Sequence, residues 1–318
     1  MSEAETDTAP SATNWVERFA RIRGQVEDRL DALTPAGSGS APRLNKAIRY
    51  SLLDGGKRLR PLVTVLTTEA LGGNCALVLD TACAIEMVHT ASLIIDDLPC
   101  MDDAEHRRGK QTNHLVHGED IAILGSISMI SEAFGVVARS PGLDAQLKSD
   151  ILDALSRSIG VDGLCAGQER DLRDITGVTD QESLEQLQYQ KTGALFVLCL
   201  EAGARIAGLG SGELEPLREF GRHAGLAFQI LDDLLDALGD LETTGKDHAQ
   251  DQGKYTHASI MSIEDAESRA RAELEAAMQA LTAVGVDEQP FAAFLDLVLQ
   301  AYHAQVDREI IVPVQLRV

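Results

Sequence analysis

From residue 13 onward, apolar residues recur with the period of an α-helix. No convincing run alternates with the period of two that a strand requires. Helices are predicted at about 13–35, 42–54, 61–72, 76–98, 117–138, 143–174, 180–208, 212–240, 263–283 and 288–311. The breaks agree with this reading: Gly55-Gly56, Gly72-Gly73, Ser140-Pro141-Gly142 and Gly208 to Gly212 punctuate the helices. Pro61 suits a first helical turn, where its missing N–H costs nothing. No long linker and no repeat divides the chain. A disordered tail of residues 1–12 and one all-α domain over 13–318 are therefore expected.

Charge narrows the function classes. Asp and Glu total 50 against 28 Lys and Arg, a formal net charge of −22. Nucleic acids and anionic membranes are bound through clustered cations, so neither is an expected partner. An anionic substrate would need local cation clusters that oppose the global field. The acidic, polar start MSEAETDTAPSATNW lacks a positive n-region and an apolar h-region, so no secretory signal is expected. No stretch of 18 uncharged apolar residues appears, which argues against a transmembrane helix and for a cytoplasmic protein without stable membrane insertion. Cys75, Cys83, Cys100, Cys165 and Cys199 form no CxxC pair. Their odd number does not suit a disulfide framework, and they read as small hydrophobes.

Two acidic clusters stand out. In Leu226–Leu238, LAFQILDDLLDAL, the polar residues Gln229, Asp232, Asp233 and Asp236 are spaced i, i+3, i+4, i+7 on one stripe of an otherwise apolar helix. Charge stripes are commonly solvated faces. Here the apolar arc is too wide for a one-sided surface helix, and three crowded carboxylates repel unless cations sit between them. The second cluster, Asp96, Asp97, Asp102 and Asp103, follows an apolar helix on which His89, Ser92 and Asp96 share a face. Pro99 is expected to end or bend that helix and let Asp102 swing back toward Asp96. His89 reads equally well as a hydrogen-bonded core residue or a ligand. Oxygen-only carboxylate sites suit hard ions, and magnesium takes one or two carboxylates while leaving room for phosphate oxygens.

Cations flank both clusters. Lys57, Arg58 and Arg60 precede a helix start that itself favours anions, without the spacing of a Walker loop. Arg107 and Arg108 follow the first cluster, and Lys191, Lys246 and Lys254 lie further along. Singly each reads as surface charge; together they describe a site for two diphosphates, where arginine grips oxygens in bidentate fashion and lysine acts as a point charge.

These residues together resemble the polyprenyl synthetase (trans-isoprenyl diphosphate synthase) family. The shared motifs run in order from Gly55-Gly56-Lys57-Arg58-Leu59-Arg60-Pro61 through Asp96-Asp97-Leu98-Pro99-Cys100-Met101-Asp102, Arg107-Arg108-Gly109-Lys110, Gly167-Gln168 with Asp171, Lys191-Thr192-Gly193 and Gln229 to Asp236, ending at Gly253-Lys254-Tyr255-Thr256. The run Ile95 to Ala104 and the phrase Gln250 to Lys254 are most similar to geranylgeranyl diphosphate synthases of bacterial carotenoid clusters. The resemblance implies antiparallel helices around a central cavity, an isoprenoid synthase fold, and a homodimer. It implies that isopentenyl diphosphate is condensed with dimethylallyl, geranyl or farnesyl diphosphate. Asp96 and Asp102, with Asp97 assisting, would bind two magnesium ions, and Asp232, supported by Asp233 and Asp236, a third. Arg107, Lys191, Lys246 and Lys254 would contact the allylic diphosphate; Lys57, Arg60, His89 and Arg108 would bind isopentenyl diphosphate. Thr192 and Gln229 would line the site beside the developing cation, and Asp171 would orient nearby bases or metal water. A farnesyl diphosphate synthase and a non-catalytic partner subunit of a heteromeric synthase are the alternatives.

Product length should depend on the helix before Asp96. Family members that stop at fifteen carbons often carry an aromatic five residues before the first Asp, where this chain has Ala91 followed by Ser92. A helical turn of about 5.4 Å approximates one isoprene unit, so a lower floor points to a C20 product. Ala91 also reads as a plain packing residue, and the two are compatible. The chain departs from the family pattern at Ile95, where His is frequent, at Ser126-Ile127-Ser128-Met129-Ile130, and at His257. None of these replaces a predicted metal or diphosphate ligand.

Overall fold

A computed structural model of the protein describes residues 12–37, 40–173, 181–238 and 260–303. The architecture is all-α. In chain order the helices are α1 Ala12–Leu33, α2 Pro42–Leu52, α3 Leu59–Ala70, α4 Cys75–Asp96, α5 Asn113–His117, α6 Glu119–Arg139, α7 Ala145–Ile159, α8 Leu164–Arg173, α9 Gln181–Gln188, α10 Ala194–Ile206, α11 Glu215–Leu238, α12 Ile263–Leu281 and α13 Gln289–His303. Strands β1 His106–Arg107 and β2 Lys110–Gln111 form one small hairpin.

Helix α4 is the spine. It is buried on nearly all sides from Val78 to Ile94 and packs against α3, α6 and α10. Asn74 caps its first turn by accepting from the Ala76 N–H at 3.0 Å, and Asp144 and Ser262 do the same for α7 and α12. Each such cap is worth about 1 kcal/mol. Helix α11 lies against α10 and α12, so the second acidic stripe is set on a helix enclosed by neighbours.

Three predicted helices need correction. The helix expected over 143–174 is two, because the chain turns between Gly160 and Gly163, where the Gly163 N–H bonds to the Gly160 carbonyl at 3.1 Å. The helix expected over 180–208 is broken by a π-helical turn, Tyr189–Gly193, and the one at 117–138 is divided at Gly118. Finally, α4 and α6 each contain an 18-residue window apolar enough, with few charges, to pass for a membrane span. In α4 that window is 72% buried inside the protein and the helix carries Asp80 and Glu86, as befits a core helix; in α6 it is 39% buried. Residues 1–11 of the expected tail lie outside the described residues, whereas Ala12 is already helical.

Candidate functional site

The first acidic cluster forms where α4 ends. Asp96 is the last helical residue, and after Pro99 the chain doubles back, so that the Asp102 N–H donates to the Asp96 carbonyl at 2.9 Å. The return anticipated from Pro99 is thus present. Burial raises the Asp96 carboxyl to about 6, reinforced by Asp102 and Asp97 and opposed by Lys191 and Arg107. Asp97 is turned inward, 2% exposed, and Arg107 donates to its Oδ1 through Nε at 2.7 Å. The carboxylate predicted to assist at the metal therefore anchors the arginine predicted to reach the allylic diphosphate.

The basic motifs converge on His89. Arg60 Nη1 lies 3.1 Å from His89 Nε2, the geometry of a guanidinium donating to a neutral imidazole. Burial, then Arg60, Arg108, Arg107 and Arg58, holds His89 well below the ordinary histidine range. Residues 60, 89, 107 and 108, all expected around diphosphates, are brought together. Ser92 Oγ donates to the His89 carbonyl at 2.9 Å, and Ala91 is fully buried. Lys57 is exposed at the mouth of the same loop. Arg58 is a correction: it is not a third anion-facing cation. It points into the protein, donating to Glu27 and Glu86 at 2.7 Å each and to the Leu52 carbonyl at 2.6 Å. Sequence reasoning missed Phe196, over whose ring the Arg60 guanidinium sits at 5.1 Å from the centroid. In an apolar helix its aromatic ring gave no signal distinct from core packing.

The π-helical turn joins the two acidic clusters. Lys191 Nζ donates to Asp171 at 2.6 Å, and its charge also reaches Asp96. Next in chain, Thr192 Oγ1 donates to Gln229 at 2.8 Å; Gln229 donates onward to Asp233 at 2.9 Å, and Gln188 reaches the other oxygen of Asp233 at 3.1 Å. Asp233 is 5% exposed and is occupied by these amides, whereas Asp232 is half-buried. Asp236 lies on the described helix, but its side chain, with Lys246, Lys254 and His257, falls outside the described residues. π-turns of this kind recur at functional sites.

The turn is held by close backbone contact. A Cβ on Gly167 would stand 2.5 Å from the Lys191 nitrogen. Gly167→Ala is therefore expected to displace the turn and destabilise the protein by about 1–3 kcal/mol, measured by thermal unfolding. An unchanged Tm would show that the helix α8 contact is slack.

All donors in the first cluster are oxygens, and the chain reversal brings the backbone of Asp102 onto that of Asp96. This suits a hard divalent ion. Among the described residues no three His, Cys, Asp or Glu side chains converge into a closed cage, so phosphate oxygens and water would have to complete the coordination. Of the departures, Ile127 is 57% exposed on α6 and does not line the interior.

Residues 41–289 match the model of a protein family described as Polyprenyl synthetase. The chain is 39% identical over 267 residues to a geranylgeranyl diphosphate synthase of Pantoea ananas, covering 83% of this chain and 86% of that one. It is 38% identical over 293 residues to a farnesyl diphosphate synthase of Geobacillus stearothermophilus, covering 91% and 98%. Among solved structures, a geranyltransferase from Helicobacter pylori, complexed with magnesium and isoprenyl diphosphate, superposes with a TM-score of 0.78 at 28% identity, covering 94% and 98%.

Proposed function

The chain belongs to the polyprenyl synthetase family, and from that premise we propose that it condenses isopentenyl diphosphate with allylic diphosphates to give geranylgeranyl diphosphate (C20). One observation carries the reading: Arg60 lies 3.1 Å from a His89 that the charges of Arg107 and Arg108 also reach, while Arg107 is bonded to Asp97 and, with Lys191, acts on Asp96. In a chain of net charge −22, so dense a cation cluster is a device for holding two polyphosphates.

Asp96, Asp102 and Asp232 are the residues that would hold magnesium, and three ions per site are proposed. Magnesium, when bound, supplies the charge that lets an allylic diphosphate leave. The protein's own groups do the rest. Arg107 and Lys191, with Lys246 and Lys254, hold the allylic diphosphate, while Lys57, Arg60, His89 and Arg108 hold isopentenyl diphosphate. Thr192 and Gln229 present oriented dipoles beside the carbon that becomes cationic, held in place by Asp233. Asp171 fixes Lys191. The double bond of isopentenyl diphosphate attacks C1, and the released diphosphate takes the proton.

Two features support the C20 assignment: the small Ala91 five residues before Asp96, and the likeness to a geranylgeranyl diphosphate synthase. The test is a product assay with labelled isopentenyl diphosphate, magnesium and each allylic primer. A C20 diphosphate abolished by EDTA is expected; C15 would make the protein a farnesyl diphosphate synthase, and no elongation would favour a non-catalytic partner. Ala91→Phe should shift the product to C15. Because Ala91 is fully buried, the ring must take space from the tail cavity or overpack the core. An unchanged product spectrum in a folded variant would overturn Ala91 as the floor.

A homodimer is also proposed. Leu115, Val116, Ile123, Leu124 and Ile127 are exposed along α5 and α6, an apolar face that a second copy would cover. The acidic surface favours neither nucleic acid nor stable membrane insertion, and the free cysteines suit a cytoplasmic enzyme.

A further inference from the structure

We propose that Tyr50 and the Asp54–Lys110 ion pair are positioning residues that lock the Arg107–Arg108 hairpin to α2, so that the two diphosphate-binding arginines move as one unit. The proposal rests on the condensation reading above.

In the hairpin, Arg107 pairs across from Lys110 and His106 from Gln111. Its two central residues, Arg108 and Gly109, have φ of 54° and 75°. Positive φ at both central positions is the requirement of a primed two-residue turn; Gly109 meets it freely and Arg108 does so under strain. Two strands of two residues each do not hold themselves together in water, so the register of this ribbon must come from outside.

Three fastenings supply it. Tyr50 Oη donates to the Gln111 carbonyl at 2.8 Å. The Lys110 ammonium pairs with Asp54 and sits 6.0 Å from the centroid of the Tyr50 ring. On the far side of the turn, Arg108 Nη1 donates to the Gly55 carbonyl at 2.9 Å. It does so across Gly56, where a Cβ would meet the guanidinium carbon at 3.0 Å. Arg107 is meanwhile held by Asp97. Consecutive arginines thus serve opposite neighbours, one toward the first acidic cluster and one toward the glycine loop. A tilt of the ribbon would misplace both. Tyr50 lies on α2 and Asp54 just beyond its end, before the glycine loop, and they are the groups that resist that tilt.

The pair is open to solvent on its Lys110 side, where water screens it, so it adds little to global stability and a positioning role separates from a structural one. The experiment compares Asp54→Asn, Lys110→Met, Tyr50→Phe and the reversed pair D54K/K110D in the full chain. Steady-state kinetics, thermal unfolding and calorimetric binding of isopentenyl diphosphate are read for each. Displaced binding groups should raise KM for both diphosphates about tenfold in the Asp54 and Lys110 variants, with kcat within about twofold and Tm nearly unchanged. Tyr50→Phe should move both KM values in the same direction, and the reversed pair should restore them. Unchanged KM values, a rise in one KM alone, or a joint fall of kcat and Tm with KM intact would each overturn the proposal. A native protein that binds isopentenyl diphosphate without elongating it would sink the condensation reading, and the binding comparison would still decide the clamp. A native protein that does neither would overturn both.

Discussion

Asp96→Asn is expected to lower kcat for condensation by about 10²- to 10³-fold while leaving the protein at least as stable as the native chain. The two halves of that expectation have one cause. The Asp96 carboxyl is raised to about 6 by burial and by Asp102 and Asp97. Ionised, it is therefore a group the folded chain tolerates at a cost, which fits the proposed role of holding a cation that comes with the substrate. The sign follows: between the ordinary 3.8 and about 6, the folded state retains a proton that the unfolded chain gives up. The unliganded native protein should then lose stability as pH rises through that window, and Asp96→Asn should lose less. Asparagine keeps the shape and removes the charge, so Tm at neutral pH should hold or rise. Magnesium added with inorganic diphosphate should raise the Tm of the native protein and raise that of the variant far less. A kcat within threefold of native would remove Asp96 from the metal site.

How much of this was visible beforehand depends on whether the chemistry is local in sequence. The two acidic clusters, the return of Asp102 after Pro99 and the shared face of His89 and Asp96 were read from spacing and side-chain type, and the structure shows the return of Asp102 directly. The break at Gly160 was hidden because apolar periodicity continues on both sides of a short turn. The π-turn at Tyr189–Gly193 was hidden for a different reason. It is imposed by the close approach of Gly167 to Lys191 and by the bond from Thr192 to Gln229, contacts that bridge 24 and 37 residues. Residue type alone gave no sign of such contacts. Arg58 shows the same limit: its charge placed it among the anion binders, but its direction is decided by Glu27 and Glu86, 31 and 28 residues away. The roles expected of Lys246 and Lys254 concern residues outside those described.

Arg58 therefore carries the largest expected effect on stability. Its side chain is 1% exposed and that of Glu86 3%. Arg58→Met removes the cation and leaves the Glu86 carboxylate buried without its strongest partner, while the Leu52 carbonyl loses a donor. Stranding one member of a buried pair costs about 3–5 kcal/mol. For a protein of this size that corresponds to a fall in Tm of roughly 6–20 °C. Replacing both members, Arg58→Met with Glu86→Leu, should recover most of the loss, because the desolvated charge disappears along with its partner. The position adds a second consequence. Arg58 adopts φ of 50° as the residue that opens α3, two residues after Gly56 and two before Arg60. Losing its three anchors should loosen the loop that grips Arg108 and aims Arg60, so KM for isopentenyl diphosphate should rise even in the stable double variant. A double variant with native Tm and native KM would confine Arg58 to charge compensation. A single variant with native Tm would show that Glu86 finds another partner.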